Sequence, residues 1–150
     1  MSCQEIMSAP ALVLKRNENV GDAVKALLKA GLYNAPVVDD AGKPIGMFSL
    51  RQALSLALPK AVSMGDDIDL SFVSNSLADI KAKFSDTANN PIKKFMEELP
   101  PSVHPETQLM EGMLLLYRTR GFLPVVDKQN GKLVGIISSS GALASMVESV

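Results

Sequence analysis

A chain of 150 residues, 47% hydrophobic and 21% charged, is long enough to bury a real core. Its 15 basic and 16 acidic side chains leave a formal charge of -1, which gives no electrostatic footprint for nucleic acid or an acidic membrane surface. One cysteine excludes an internal disulfide, one histidine argues against a zinc cluster, and the longest apolar run, Met113 to Tyr117, is far short of the roughly 20 residues of a membrane span.

The start, Met1-Ser2-Cys3-Gln4-Glu5, lacks the basic and apolar stretches of a signal peptide, so a cytoplasmic location is expected. Cys3 is expected in a mobile terminus without a partner. Val20, Ala23, Val24, Leu27 and Leu28 then recur at helical spacing, with Asn19 as N-cap, Asp22 in the first turn and Gly31 as a left-handed stop. A short strand centred on Val37-Val38 follows, then turn residues Asp39-Asp40-Ala41-Gly42, a return strand from Pro44 to Phe48, and a helix from Leu50 to Leu58.

The connector, 59–90, holds one extra helix starting at Ser76, and its stripe of Leu77, Ile80 and Phe84 is expected to cover the flank of the core. Asp66, Asp67 and Asp69 read as a solvated acidic turn, because no glycine-punctuated loop or distal glutamate completes a calcium motif. Pro91 can open a short helix through Met96. His104 is read as a partly exposed loop residue. A second helix carries Leu109, Met113, Leu116 and Tyr117 on one stripe, with Thr107 as its cap. The strand at Val125-Val126, the turn from Asp127 to Gly131, the return strand from Leu133 to Ile137 and a last helix from roughly Ser140 to Val147 complete the chain.

The second series repeats the first. One pattern runs from Met7 to Ser49 and again from Met96 to Ser138, an offset of 89 residues. Ala35-Pro36-Val37-Val38-Asp39 answers Leu123-Pro124-Val125-Val126-Asp127 at an offset of 88, and Asn130-Gly131 restores 89 after the turn. Ile45-Gly46-Met47-Phe48-Ser49 answers Val134-Gly135-Ile136-Ile137-Ser138. A register kept across two compensating changes marks two copies of one unit: repeat 1 over 1–58, the connector over 59–90 and repeat 2 over 91–150. The fold class is α/β (α+β), with two pseudo-symmetric units, each a small sheet packed with helices, sharing one core.

These residues resemble the cystathionine-β-synthase (CBS) domain, which occurs in tandem as the Bateman module. The resemblance rests on the Pro-Val-Val-Asp strand, the glycine turn and Gly-apolar-apolar-Ser ahead of a helix, each present twice. It implies a regulatory module, not an enzyme, with no required cofactor. It also implies clefts for an adenine nucleotide or adenosyl ligand of the AMP, ADP, ATP, NAD(H) or S-adenosylmethionine type. Carried over by position, the ligand-binding residues are Asn34, Ala35, Pro36, Ser49 and Gln52 in repeat 1, and Phe122, Leu123, Pro124, Ser138 and Gly141 in repeat 2. Gln52 and Gly141 stand where nucleotide-binding members have a ribose-binding Asp, and Asn34 and Phe122 stand where some place a phosphate-binding cation. Arg118 and Arg120 are the substitutes for that cation.

Ser49 has two readings, since Ser49-Leu50-Arg51-Gln52 also satisfies a capping box. Ser138 is equally open between cap and ligand contact. No nucleophile with a base, acid pair or metal cluster emerges. Two functions stay open: a metabolite sensor that regulates an enzyme or transporter, and a ligand-independent dimerisation or protein-interaction module with degenerate nucleotide sites. Either is expected to form a homodimer through the apolar final helices, Leu50 to Leu58 and Ala142 to Val147.

Overall fold

The computed structural model describes residues 1–58, 71, 76–119 and 121–148. Asp66, Asp67 and Asp69 lie outside the described residues. In repeat 1, α1 (Val20–Ala30) starts where Asn19 Oδ1 accepts the Asp22 N–H at 2.8 Å. It ends on Gly31, whose φ of 67° is left-handed and costs glycine nothing sterically. Val20, Ala23 and Leu27 are its buried face, as the spacing predicts, but Leu28 of the expected stripe is exposed.

Strands β2 (Asn34–Val38) and β3 (Pro44–Ser49) form an antiparallel pair, and β1 (Leu14–Lys15) adds in parallel to β2. Helix α2 (Leu50–Leu56) follows directly from β3. The connector helix α3 (Leu77–Ala88) packs against α1 and α2, with Phe84 on the repeat 1 core. Leu77 and Ile80 of the expected covering stripe remain exposed, so Phe84 alone of the three covers the core.

Repeat 2 holds α4 (Leu109–Arg118), the antiparallel pair β4 (Phe122–Val126) and β5 (Leu133–Ser138), and α5 (Ser139–Val147). A single parallel bridge from Val103 to Val125 stands in for β1. The two hairpins have the same register: Val37 faces Gly46 and Val38 faces Pro44, while Val125 faces Gly135 and Val126 faces Leu133. Each has a shift at that point, so both copies keep one bulge. Asp39 Oδ1 gathers the Ala41 and Lys43 N–H groups at 2.9 Å each, and Asp127 Oδ1 gathers those of Gln129 and Asn130. The one-residue slip between copies has a local cause: α1 stops on a left-handed glycine, whereas α4 stops on extended Thr119 and the chain turns at Gly121, φ 80°.

Further sequence expectations change: Tyr117, expected on the apolar stripe of α4, is exposed. Thr107 does not cap α4; Gln108 occupies that position without a side-chain bond, and Thr107 Oγ1 accepts the His104 N–H at 2.9 Å. Cys3 is not in a mobile terminus. It is fully buried in a short 3-10 turn, Cys3–Glu5, and its N–H donates to the Thr107 carbonyl at 2.9 Å.

The lead-in segment of each repeat is fastened to the other. Ser8 and Ile136 exchange backbone bonds of 2.9 and 2.8 Å, and Cys3 completes the buried cluster of Leu116, Leu123, Val125 and Ile137. Reciprocally, Glu97 and Met47 exchange bonds of 2.7 and 3.0 Å, and Ile92 completes the cluster of Leu14, Val20, Leu27, Val37 and Phe48. The shared core therefore consists of two clusters, each closed by residues of the opposite repeat. Gly46 and Gly135 make this crossing feasible. A Cβ on Gly46 would lie 2.9 Å from the Glu97 carbonyl oxygen, and one on Gly135 3.0 Å from that of Ser8.

Candidate functional site: the cleft between the repeats

The crossing leaves a cleft of about 480 Å³. One wall belongs to repeat 1, with Tyr33, Asn34, Met47, Ser49 and Arg51. The other belongs to repeat 2, with Glu97 through Pro101, Thr119 and Phe122. Asn34 and Ser49 face each other at the open end of the β2–β3 hairpin, and directly opposed residues present side chains on one face. Arg51 lies in the first turn of α2.

Ser49 is 4% exposed and uses both hydrogen-bonding capacities of its hydroxyl. Its Oγ accepts the Gln52 N–H at 3.1 Å and donates to Glu97 Oε1 at 3.3 Å. The first bond is the expected helix cap; the second joins the two repeats inside the cleft. Gln52 takes part through its backbone, and its side chain has no partner among the described residues, so the capping box is half made.

Of the residues carried over by position, Asn34, Ser49 and Phe122 line the cleft together. Ala35, Pro36, Leu123 and Pro124 are buried in the strands behind it. Gln52, Ser138, Gly141 and Arg118 are not on its walls. Ser138 caps α5 by accepting the Gly141 N–H at 3.0 Å, and its hydroxyl meets that of Ser140 at 3.3 Å. Arg118 is exposed near the end of α4, and Arg120 lies outside the described residues. Sequence reasoning missed Glu97, Glu98, Arg51 and Tyr33. The available signal was the repeat itself: Met7-Ser8 aligns with Met96-Glu97, and only the second copy is acidic. Among the described residues, no three His, Cys, Asp or Glu side chains come together as metal ligands. No described helix is long and apolar enough to cross a membrane.

The CBS-domain profile matches residues 3–58 and 92–148, which is most of the chain. The chain belongs to the CBS-domain family. CBS pairs are generally regulatory modules, and the two matched stretches make this one a tandem pair. It is 27% identical over 142 residues to the chloroplastic CBS domain-containing protein CBSX2 of Arabidopsis thaliana, covering 91% of this chain and 58% of that protein. It is 25% identical over 149 residues to the A-adding tRNA nucleotidyltransferase of Aquifex aeolicus, covering 99% of this chain and 15% of the enzyme. The CBS pair thus spans less than two thirds of the length of either protein.

Among solved structures, a CBS domain-containing protein of unknown function from Kribbella flavida superposes with a TM-score of 0.76 at 25% identity, over 98% of this chain and 99% of that one. CBSX2 in complex with AMP superposes with a TM-score of 0.71 at 24% identity, over 98% and 96% of the two chains.

Proposed function

We propose that this CBS pair is a regulatory module that senses an adenine-containing metabolite in the inter-repeat cleft. The candidates are of the AMP, ADP, ATP, NAD(H) or S-adenosylmethionine type. One observation carries the reading: the walls of the cleft come from different repeats and already meet at the Ser49–Glu97 bond. A ligand seated there touches both repeats, so occupancy biases their relative placement and any partner docked across them. The AMP complex of CBSX2, a neighbour in fold, supports the ligand class. The role is regulatory rather than catalytic, in the cytoplasm, and the regulated partner is an enzyme or transporter. Asn34, Ser49 and Phe122 are the ligand contacts from the original set, joined by Tyr33, Arg51 and Glu97.

A second reading is a ligand-independent interaction module, favoured by the outward apolar side chains of the final helices. Leu54 on α2 and Leu143, Met146 and Val147 on α5 are exposed, and a homodimer through these helices would bury them.

Thermal unfolding at fixed protein concentration, with each adenine compound in turn, separates the two. A ligand at 100 times its dissociation constant adds about 2.7 kcal/mol to the native state. For a chain of this size that raises Tm by about 5–10 °C. No shift with any compound, from a protein that melts cooperatively and elutes as a dimer, refutes sensing in favour of the interaction module.

A further inference from the structure

The two crossings of the lead-in segments differ chemically. Ser8 pairs with Ile136 as Glu97 pairs with Met47, so Ser8 and Glu97 hold equivalent places and only one carries a carboxylate. The Ser49 hydroxyl, held by the Gln52 N–H, directs its proton at Glu97 Oε1 and fixes that side chain over the cleft. The other carboxylate oxygen has no partner among the described residues. A carboxylate with a free oxygen, beside the aromatic rings of Tyr33 and Phe122, matches a sugar diol attached to a flat base. Glu98 adds a second negative charge, and among the described residues Arg51 is the single cation on the walls, so the described lining sums to -1. A phosphate chain brings further negative charge to a wall that already carries an excess of it.

We infer that Glu97 accepts the ribose hydroxyls of the ligand from across the repeat boundary, and that this cleft selects adenosyl compounds with a neutral or cationic tail over those with a phosphate chain. The inference rests on the sensing function proposed above and names its ligand class. It restores, from the opposite repeat, the carboxylate that Gln52 does not supply. The counterpart crossing has Ser8 at that place, so each chain takes one ligand.

Isothermal titration of the full chain with adenosine, S-adenosylmethionine, AMP and ATP, at low and high salt, tests this. The expected result is one site per chain, with ATP at least about tenfold weaker than adenosine or S-adenosylmethionine and the gap narrowing as salt screens the carboxylates. Glu97→Gln should weaken adenosine binding by about tenfold or more, the usual loss for a hydrogen bond to a charged group, and bring ATP closer to it. Ser8→Ala should bind as the parent does. The Glu97 backbone, which makes the bonds to Met47, is untouched in the Gln variant, and its melting curve checks the fold. ATP binding as tightly as adenosine, adenosine binding unchanged in Glu97→Gln, or two equal sites per chain would overturn the inference while leaving sensing intact. No binding by any adenine compound would overturn both.

Discussion

Replacing Gly46 with alanine places a methyl group where β3 meets the lead-in segment of repeat 2. The added Cβ would sit 2.7 Å from Met96 Sδ and 2.9 Å from the Glu97 carbonyl oxygen. The sulfur can swing aside. The carbonyl cannot, without lengthening the Met47–Glu97 bonds of 3.0 and 2.7 Å. Overpacking of this kind costs about 1–3 kcal/mol. Two weakened backbone bonds add roughly 0.5–1.5 kcal/mol each, for a total of about 2–6 kcal/mol. At about 2–4 °C per kcal/mol for a chain of this length, Tm should fall by about 4–24 °C. Gly135→Ala should cost about as much, because its added Cβ would sit 3.0 Å from the Ser8 carbonyl oxygen, which the Ser8–Ile136 bonds hold in place. Gly21→Ala is the opposite control. Its Cβ would make ordinary contacts of 3.5 Å with Ala88, and alanine is favoured over glycine in a helix by up to about 1 kcal/mol. Thermal and urea unfolding of the three variants beside the parent give the comparison. An unchanged midpoint for Gly46→Ala would refute the claim that the second lead-in lies against β3.

Four further outcomes are expected. Gly112→Ala drives a methyl group into Cys3 Sγ and should destabilise the protein, whereas combining it with Cys3→Ala should recover part of the loss; a double-mutant cycle by urea unfolding reads the coupling. Burial first, and the nearby Glu111 second, hold the Cys3 thiol above its usual pKa of 9.0. Its contribution to stability is thus present below pH 9.0 and lost as pH rises through the folded value, and Cys3→Ala should flatten the alkaline limb of stability against pH. The Lys43 N–H bond, more than any other influence, holds the exposed Asp39 carboxyl below its usual 3.8. That contribution is present above pH 3.8 and lost as pH falls through the lowered value, so Asp39→Asn should be less acid-sensitive than the parent in stability measurements. Asn19→Ala removes the one side-chain acceptor at the start of α1 and should cost about 1 kcal/mol by chemical unfolding.

The repeat was legible because both hairpins carry the same constraints. Asp39 and Asp127 each fold their own turn, and the matched glycines and valines fix a common register. Asn19 was legible as a cap for the same local reason. Thr107 failed as a cap because its hydroxyl is engaged by the His104 N–H in the preceding loop. The crossing of the lead-ins was not legible. An isolated bridge such as Ser8 to Ile136 has no period to detect, and nothing in Met1 to Met7 declares which sheet will receive it. Half of the site was hidden with it. Asn34, Ser49 and Phe122 follow from the family resemblance by position, but Glu97 and Glu98 read as an ordinary polar pair until the crossing sets them opposite Ser49.

The exchange of lead-ins means that neither repeat is a self-sufficient folding unit. A polypeptide ending at residue 58 would lack Ile92 and the Glu97 bridge, and would display Cys3 and Ile6 with no cluster to enter. Two separately produced halves, cut within the connector, hold complementary plugs and sockets. Mixing them should reconstitute the pair by fragment complementation, while either half alone stays partly unfolded or seeks a second copy of itself to trade segments with. The covalent link between the repeats then serves mainly to keep the matching half close at hand, at high effective concentration, while the plugs and sockets determine which half is accepted.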